Sequence, residues 1–189
     1  MQTETITRLD ELLDALATGS RDYRLLANEM ILPLNDLKPF LFWHSERYTR
    51  NCIVRTSRYE LMVLCWEKGQ ETPIHCHGGQ ECWVHMVQGK LEEKRYKTKV
   101  NHGAIAYTDL MEDHRMTICK TEISYMNDAM GYHSLRNAAD GRSISLHLYA
   151  QPIDECSIMD EGSGKLVQRQ LSYDSVEGVW IAADRPSNS

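Results

Sequence analysis

Between residues 59 and 150 the chain is built of short strand-like segments with no helix of any length between them. The segments are rich in β-branched and aromatic residues and are separated by Gly, Asn, Asp or Pro, as is typical of strands joined by turns. They cover residues 59–66, 83–88, 104–108, 115–119 and 143–150. Parallel strands need long connections, usually helices, so the sheets should be mainly antiparallel. The pattern predicts an all-β sandwich or small barrel.

The residues before this region follow a helical pattern instead. In residues 5–19 apolar side chains recur at intervals of three and four, which predicts an amphipathic helix with Thr5 as a cap and Gly19 as a stop. The apolar positions are Ile6, Leu9, Leu12, Leu13 and Leu16. A second helix is predicted in residues 22–32 and a short helical turn near residue 40.

The length of 189 residues suits one ordinary domain with a real core. We therefore predict a single domain over residues 1–189. A mainly helical N-terminal segment, residues 1–45, should pack on a β-barrel formed by residues 46–175. Residues 176–189 are predicted to be a tail, because the chain becomes polar toward its end.

The charge of the chain argues against nucleic acid and anionic membranes as partners. It has 21 Lys and Arg against 27 Asp and Glu, a net charge of −6, and no basic block. No apolar run approaches the roughly 20 residues of a membrane-spanning helix. The acidic N-terminal residues do not resemble a secretion signal, and the six cysteines include no C-x-x-C pair. We expect a cytoplasmic monomer whose cysteines are thiols.

The first candidate site is the pair His75 and His77. If these residues lie in a strand, their side chains project from the same face, about 6–7 Å apart along the backbone, where two imidazoles can bind one ion. Cys76 would then face the other way. With eight histidines in the chain, a pair of this spacing arises by chance about 0.3 times, so two exposed histidines at a sheet edge are an equally good interpretation.

Two further patterns carry polar side chains. His133 follows Gly131 in the stretch before a predicted strand, where a lone histidine is usually a surface or core residue. In Ser145-Leu-His147-Leu-Tyr149 the alternation places three polar side chains on one face of a strand. If buried and unpaired, each would cost about 1–3 kcal/mol, so a buried file is expected only around a metal or ligand. The alternative is that these three side chains lie on the solvent-exposed face of an outer strand.

Together these patterns resemble the metal-binding cupins and, within them, the cysteine dioxygenases. Gly69, the His75-x-His77 pair, and His133 with Asn137 four residues later match the two cupin motifs. The acidic position of the first motif has two candidates. Glu81 follows the histidine pair after three residues, but only Cys82 leaves the expected six residues before Gly89. Neighbouring strand residues face opposite ways, so only one of the two can share the pocket with the histidines.

The resemblance covers most of the chain. It extends over LKPFLFW at residues 37–43, RYTRN at 47–51, LMVLCW at 61–66, YMNDAMGYH at 125–133 and SISLHLYAQPIDEC at 143–156. It implies an all-β cupin fold with an N-terminal helical segment. It also implies roles for individual residues: Fe(II) bound by His75, His77 and His133; a substrate carboxylate received by Arg50 and Tyr48; a hydrogen-bonded file of Ser145, His147 and Tyr149; and a thioether between Cys82 and Tyr149.

The function implied by the resemblance is a thiol dioxygenase that oxidises L-cysteine with O2 to cysteine sulfinic acid. Arg50, in place of the glutamine of mercaptopropionate-type relatives, favours cysteine as the substrate. One alternative is a dioxygenase of 3-mercaptopropionate or another small thiol. The other is a non-catalytic cupin that senses a small ligand, with Glu81 as a fourth metal ligand.

Two positions depart from the resemblance. Gln151 stands before Pro152 where animal members usually have proline, which leaves a cis peptide bond there open, and Cys76 separates the paired histidines. We assign the remaining histidines to surface or packing roles: His44, His85, His102 and His114. Cys156 is predicted to be an ordinary thiol.

Overall fold

Helices occupy the N-terminal part of the computed structural model, which describes residues 5–99 and 105–181. Their bounds are α1 Leu9–Thr18, α2 Tyr23–Glu29 and α3 Leu34–Leu37, followed by a 3₁₀ turn, Lys38–Phe40. The helices predicted here are confirmed, and Gly19 ends α1 with a φ of 62°. Thr5 is not the cap, because α1 begins at Leu9 and Asp36 accepts a hydrogen bond from the Leu9 N–H at 3.0 Å.

The rest of the described chain is mostly β-structure. Its strands are β1 Thr49–Arg55, β2 Glu60–Trp66, β3 Cys82–Gln88, β4 Lys90–Thr98, β5 Leu110–Cys119, β6 Ile123–Met126, β7 Tyr132–Asn137, β8 Ser143–Tyr149, β9 Glu155–Asp160, β10 Lys165–Gln170, β11 Ser175–Val176 and β12 Val179–Trp180. One seven-stranded sheet has the order β12-β11-β1-β2-β8-β3-β6. Adjacent strands are antiparallel except β1 and β11, so the predicted antiparallel architecture is confirmed.

Two smaller sheets, β5-β4-β7 and β10-β9, form a second layer. His75 links them, because it makes isolated β-bridges to both His133 in β7 and Ile158 in β9. Buried side chains from this layer, such as Leu135 and Ile158, join a core with Leu64 and Val84 of the large sheet. The candidate metal ligands therefore lie between the two layers.

The helices cover the opposite face of the large sheet. Leu12, Leu16 and Leu26 form a buried cluster with sheet residues that include Leu61 and Leu146. This apolar layer accounts for the periodicity of the N-terminal sequence. Nowhere in residues 5–99 or 105–181 is there a helix with the length and apolar character needed to cross a membrane.

Two predictions of secondary structure fail. The strand predicted at 104–108 is wrong for the described residues of that range, because Tyr107–Asp109 form a 3₁₀ turn. The Asp109 carboxylate accepts a hydrogen bond from the Ala106 N–H at 2.8 Å, which closes this turn just before β5. The predicted tail also differs, since β12 joins the large sheet at Val179–Trp180. Residues 182–189 of that tail lie outside the described residues.

Candidate active site

Three histidines converge between the layers. The N–H groups of His75 and His133 each donate to the other's carbonyl at 2.9 Å, which fixes the two backbones side by side. His77 follows two residues later, and its N–H donates to the Asp128 carboxylate at 2.6 Å. Asp128 also accepts from the Gly79 N–H at 2.7 Å, so one carboxylate shapes the turn that aims His77 inward.

The imidazoles are spaced as ligands of one ion. One nitrogen from each of the three rings lies within 4.8 Å of the others, and the Nε2 atoms of His75 and His133 are 3.2 Å apart. First-row metal ions bind imidazole nitrogens at about 2.0–2.1 Å, so a small adjustment brings all three onto one ion. Burial, with His133 nearby, lowers the pKa of His75 to about 3, and the same causes lower the pKa of His77. Neutral imidazoles are the form that binds metal.

Hydrogen bonds on the far side of the rings set their orientation. His75 Nδ1 lies 2.9 Å from the Pro73 carbonyl oxygen, and His133 Nδ1 lies 2.8 Å from a carboxylate oxygen of Glu93. Partners of this kind fix the tautomer that leaves Nε2 free for a metal. His77 Nδ1 is buried and has no hydrogen-bond partner within the described part of the chain. The donor set and its orientation fit a bound metal ion.

Glu93 was not foreseen from the sequence. It lies in β4, is fully buried, and accepts hydrogen bonds from Arg95 at 3.1 Å and from the Ser124 hydroxyl at 2.5 Å. Burial alone favours its neutral form, but the hydrogen bonds from His133, Arg95 and Ser124 prevail and lower its pKa to about 2. The carboxylate therefore stays ionised behind His133.

Glu81 is not a metal ligand in this arrangement. Its carboxylate accepts a hydrogen bond from the Tyr125 hydroxyl, away from the histidines. Among the described residues the metal-ligand cluster consists of the three histidines, with no carboxylate in it. The hypothesis of a cupin with Glu81 as fourth ligand is therefore wrong in that respect.

Cys82, the neighbour of Glu81, faces the site as the spacing to Gly89 indicated. It is directly opposite Tyr149 across the β3–β8 pair, and both side chains are buried. Burial raises the pKa of both groups, so thiol and phenol are neutral in this pocket.

The polar face of β8 is buried, as the metal-site interpretation requires. Ser145 Oγ lies 2.8 Å from His147 Nε2 and also accepts a hydrogen bond from Trp66 Nε1 at 2.9 Å. The predicted file is present only in part, because the His147 and Tyr149 ring centroids are 6.4 Å apart and His147 Nδ1 has no partner in the described structure.

Arg50 and Tyr48 open onto the same cavity as the histidines. The cavity measures about 650 Å³, and its wall also includes Tyr149. Arg50 is only 6% exposed, and its Nε and Nη2 atoms are buried without a hydrogen-bond partner in the described structure. Burial alone would lower its pKa, but the polar groups around it, which include Glu60, outweigh that effect and raise the pKa. The guanidinium is therefore charged, and two of its three nitrogens make no hydrogen bond in the described structure.

The remaining sequence candidates lie at the wall or outside it. Cys76 lines the same cavity as His75 and His77, so the prediction that it faces the other way is wrong, because these residues do not lie in a regular strand. Its Sγ accepts a hydrogen bond from the Ser157 N–H at 3.4 Å, and the buried Cys156 lines the cavity too. His85 is buried on the helix-facing side of β3. His44 and His114 are not part of the cavity, and His102 lies outside the described residues. No peptide bond in the described residues is cis, including the one before Pro152.

Fold and site together define a protein of the double-stranded β-helix fold with a three-histidine cluster that could hold a metal ion. The fold matches the crystal structure of a Klebsiella pneumoniae protein with a double-stranded β-helix domain, with a TM-score of 0.52, 13% identity, and coverage of 66% of this chain and 95% of that one. The family model of cysteine dioxygenase type I matches residues 4–162. The chain therefore belongs to the cysteine dioxygenase type I family.

Curated relatives agree with this assignment. The chain is 28% identical over 135 residues to cysteine dioxygenase type 1 of Rattus norvegicus and to that of Homo sapiens. Each alignment covers 70% of this chain and 66% of the relative. The match thus spans slightly less than two thirds of these relatives' length.

Proposed function

We propose that the protein is a dioxygenase that oxidises L-cysteine with O2 to cysteine sulfinic acid. The observation that carries the proposal is a carboxylate-free cluster of three imidazoles that lines one cavity together with Arg50. The family assignment and the names of the relatives support the same activity.

The metal in this proposal is Fe(II), held by His75, His77 and His133. Three neutral imidazoles leave the charge of the ion uncompensated and several coordination positions open, so bound iron would supply a place where a substrate thiolate and O2 meet. Two of these imidazoles are already oriented for metal binding, because Pro73 and Glu93 hydrogen-bond to their Nδ1 atoms.

Arg50 and Tyr48 bind the substrate carboxylate in this proposal. The planar fork of arginine matches a carboxylate bidentately, and the cavity buries the contact. At about 4 Å and an effective dielectric near 20, the attraction is roughly 4 kcal/mol before desolvation is subtracted. Tyr48 is held in place by Trp66, since their rings stack with centroids 4.7 Å apart.

Tyr149 and Cys82 close the side of the pocket that faces the histidines. The rings of His77 and Tyr149 have centroids 6.1 Å apart, so the phenol is close enough to hydrogen-bond to substrate atoms next to a metal. We propose that Cys82 and Tyr149 form a thioether, with O2 as the oxidant that accepts the two hydrogen atoms. The bond would fix the phenol in place without adding a reaction step.

Oxygen uptake by the iron-loaded protein tests the proposal. We expect uptake on addition of L-cysteine, and much weaker uptake with 3-mercaptopropionate, which lacks the amino group. Faster turnover of 3-mercaptopropionate would assign the enzyme to that substrate instead. The absence of uptake with either thiol would reject the dioxygenase.

A further inference from the structure

A second buried carboxylate lies behind the substrate-binding arginine. Glu60, the first residue of β2, is fully buried. Its Oε2 accepts a hydrogen bond from the Ile153 N–H at 3.1 Å, and its Oε1 accepts one from the Tyr173 hydroxyl at 2.8 Å. A buried carboxylate with such partners is held in place behind Arg50, which lines the cavity.

Glu60 is close to Arg50 without binding it. Glu60 Oε1 and Arg50 Nη2 are 4.0 Å apart, which is too long for a hydrogen bond. The opposite charges compensate each other, since both side chains are buried. Nη2 is itself fully buried and has no hydrogen-bond partner in the described structure, so Glu60 does not hold the guanidinium by a hydrogen bond.

Tyr173 accounts for the separation. Its hydroxyl donates to the same Glu60 oxygen that faces Arg50, and it accepts a hydrogen bond from Arg55 Nη1 at 2.8 Å. Arg55 in turn donates to Asp154 at 2.6 Å. Burial and the neighbouring Glu60 raise the pKa of Tyr173, so the hydroxyl keeps its proton and donates a hydrogen bond to Glu60. The phenol is thus anchored on one side and holds the carboxylate on the other.

We propose that Tyr173 and Glu60 act as a positioning pair that keeps a counter-charge beside Arg50 without hydrogen-bonding to its guanidinium, so that the guanidinium can bind the substrate carboxylate. The inference rests on the proposed function and deepens it, because it makes this pair a determinant of the preference for thiols with a carboxylate. Without the Tyr173 hydroxyl, Glu60 Oε1 loses its partner and closes on Arg50. The substrate carboxylate must then displace Glu60.

The test compares L-cysteine with cysteamine, an aminothiol that has no carboxylate. In Tyr173→Phe we expect KM for L-cysteine to rise about five- to tenfold, the equivalent of one ordinary hydrogen bond, with kcat nearly unchanged. KM for cysteamine should stay the same. In the double variant Glu60→Gln/Tyr173→Phe, KM for L-cysteine should return to within about twofold of the original value, because a neutral amide competes weakly for Arg50.

Tyr125→Phe is the matched control. Tyr125 also donates its hydroxyl to a glutamate, Glu81, but neither residue lines the cavity. This variant should leave both KM values unchanged. Equal increases in KM for L-cysteine and cysteamine in Tyr173→Phe, or no recovery in the double variant, would overturn the inference.

Anaerobic calorimetry with L-cysteine separates this inference from the proposed function. Suppose that Tyr173→Phe weakens L-cysteine binding to the iron-loaded protein but the original protein consumes no O2. The role of Tyr173 and Glu60 is then supported, and the proposed dioxygenase activity is rejected. If the original protein consumes O2 with L-cysteine and Tyr173→Phe has the same KM and affinity, the positioning pair is rejected and the dioxygenase stands.

Discussion

The two faces of β8 are buried to the same degree but have opposite chemistry. Ile144, Leu146 and Leu148 point toward the helices, whereas Ser145, His147 and Tyr149 point to the side of the cavity, which His147 and Tyr149 line, and each is at most 4% exposed. Full burial of a large apolar side chain contributes about 1.5–3 kcal/mol, whereas an unpaired polar group costs about 1–3 kcal/mol. Burial of apolar side chains on the helix-facing side thus stabilises the fold. This stabilisation offsets the cost of burying polar groups on the cavity side, where they can contact a ligand.

The comparison predicts that substitutions on the two sides have separable effects. On the cavity side they should change metal binding and activity more than folding. On the helix-facing side they should do the reverse.

Removal of one metal ligand should have the largest effect. In His133→Ala we expect the bound iron to be lost and oxygen uptake with L-cysteine to fall at least about a thousandfold, because two imidazoles no longer hold the ion. The melting temperature of the metal-free protein should fall less than in Leu146→Ala, because Arg95 and Ser124 still hydrogen-bond to Glu93. Metal analysis and oxygen uptake on one preparation check this, and retention of iron with normal turnover would exclude His133 as a ligand.

Truncation of an apolar side chain on the helix-facing side of β8 should have the second-largest effect. Leu146→Ala should lower the free energy of unfolding by about 2–5 kcal/mol, because it leaves a cavity in the apolar layer. Urea denaturation of the metal-free protein measures the change. The folded variant should still bind iron and turn over cysteine at the original rate, and loss of iron from folded Leu146→Ala would show that the two faces are coupled.

A substitution of Glu93 tests whether its hydrogen bond to His133 strengthens metal binding. Glu93→Gln should weaken iron binding about ten- to a hundredfold, because His133 loses the ionised partner that orients its ring. The measurement is a competition titration against a chelator. Glu92→Gln is the control, since Glu92 pairs with Lys94 and Arg115 outside the cavity. Equal affinities in the two variants would contradict the role given to Glu93.

The smallest effect is expected at Cys82. Cys82→Ala should lower kcat about three- to tenfold without abolishing activity, because the phenol of Tyr149 loses a restraint and not a reactive group. The original protein, purified in air, should have an intact mass lower by two hydrogens in its cross-linked fraction. An unchanged rate in the variant, together with no such mass loss in the original protein, would reject the thioether.

The histidine cluster could be predicted because its residues match the two cupin motifs. The His75-x-His77 spacing alone left exposed edge histidines equally possible, and the resemblance added His133 to the pair and favoured Cys82 over Glu81 through the expected distance to Gly89. The structure places all three rings together and turns Glu81 away.

The supporting carboxylates could not be predicted in the same way. β4, with the sequence KLEEKRYKT, has little apolar alternation, so nothing local separates the buried Glu93 from its half-buried neighbour Glu92. Pairing of β4 with β7 decides the difference, because it sets Glu93 beside His133. Glu60 likewise gains its role only when Tyr173, far along the chain, folds back onto it.

The origin of the oxygen atoms in the product tests the central claim most directly. When the iron-loaded protein turns over L-cysteine under ¹⁸O₂, we predict cysteine sulfinic acid in which both sulfinate oxygens carry the label, as measured by mass spectrometry. Cystine as the sole product, or a sulfinate that takes oxygen from water, would contradict a dioxygenase at the three-histidine site.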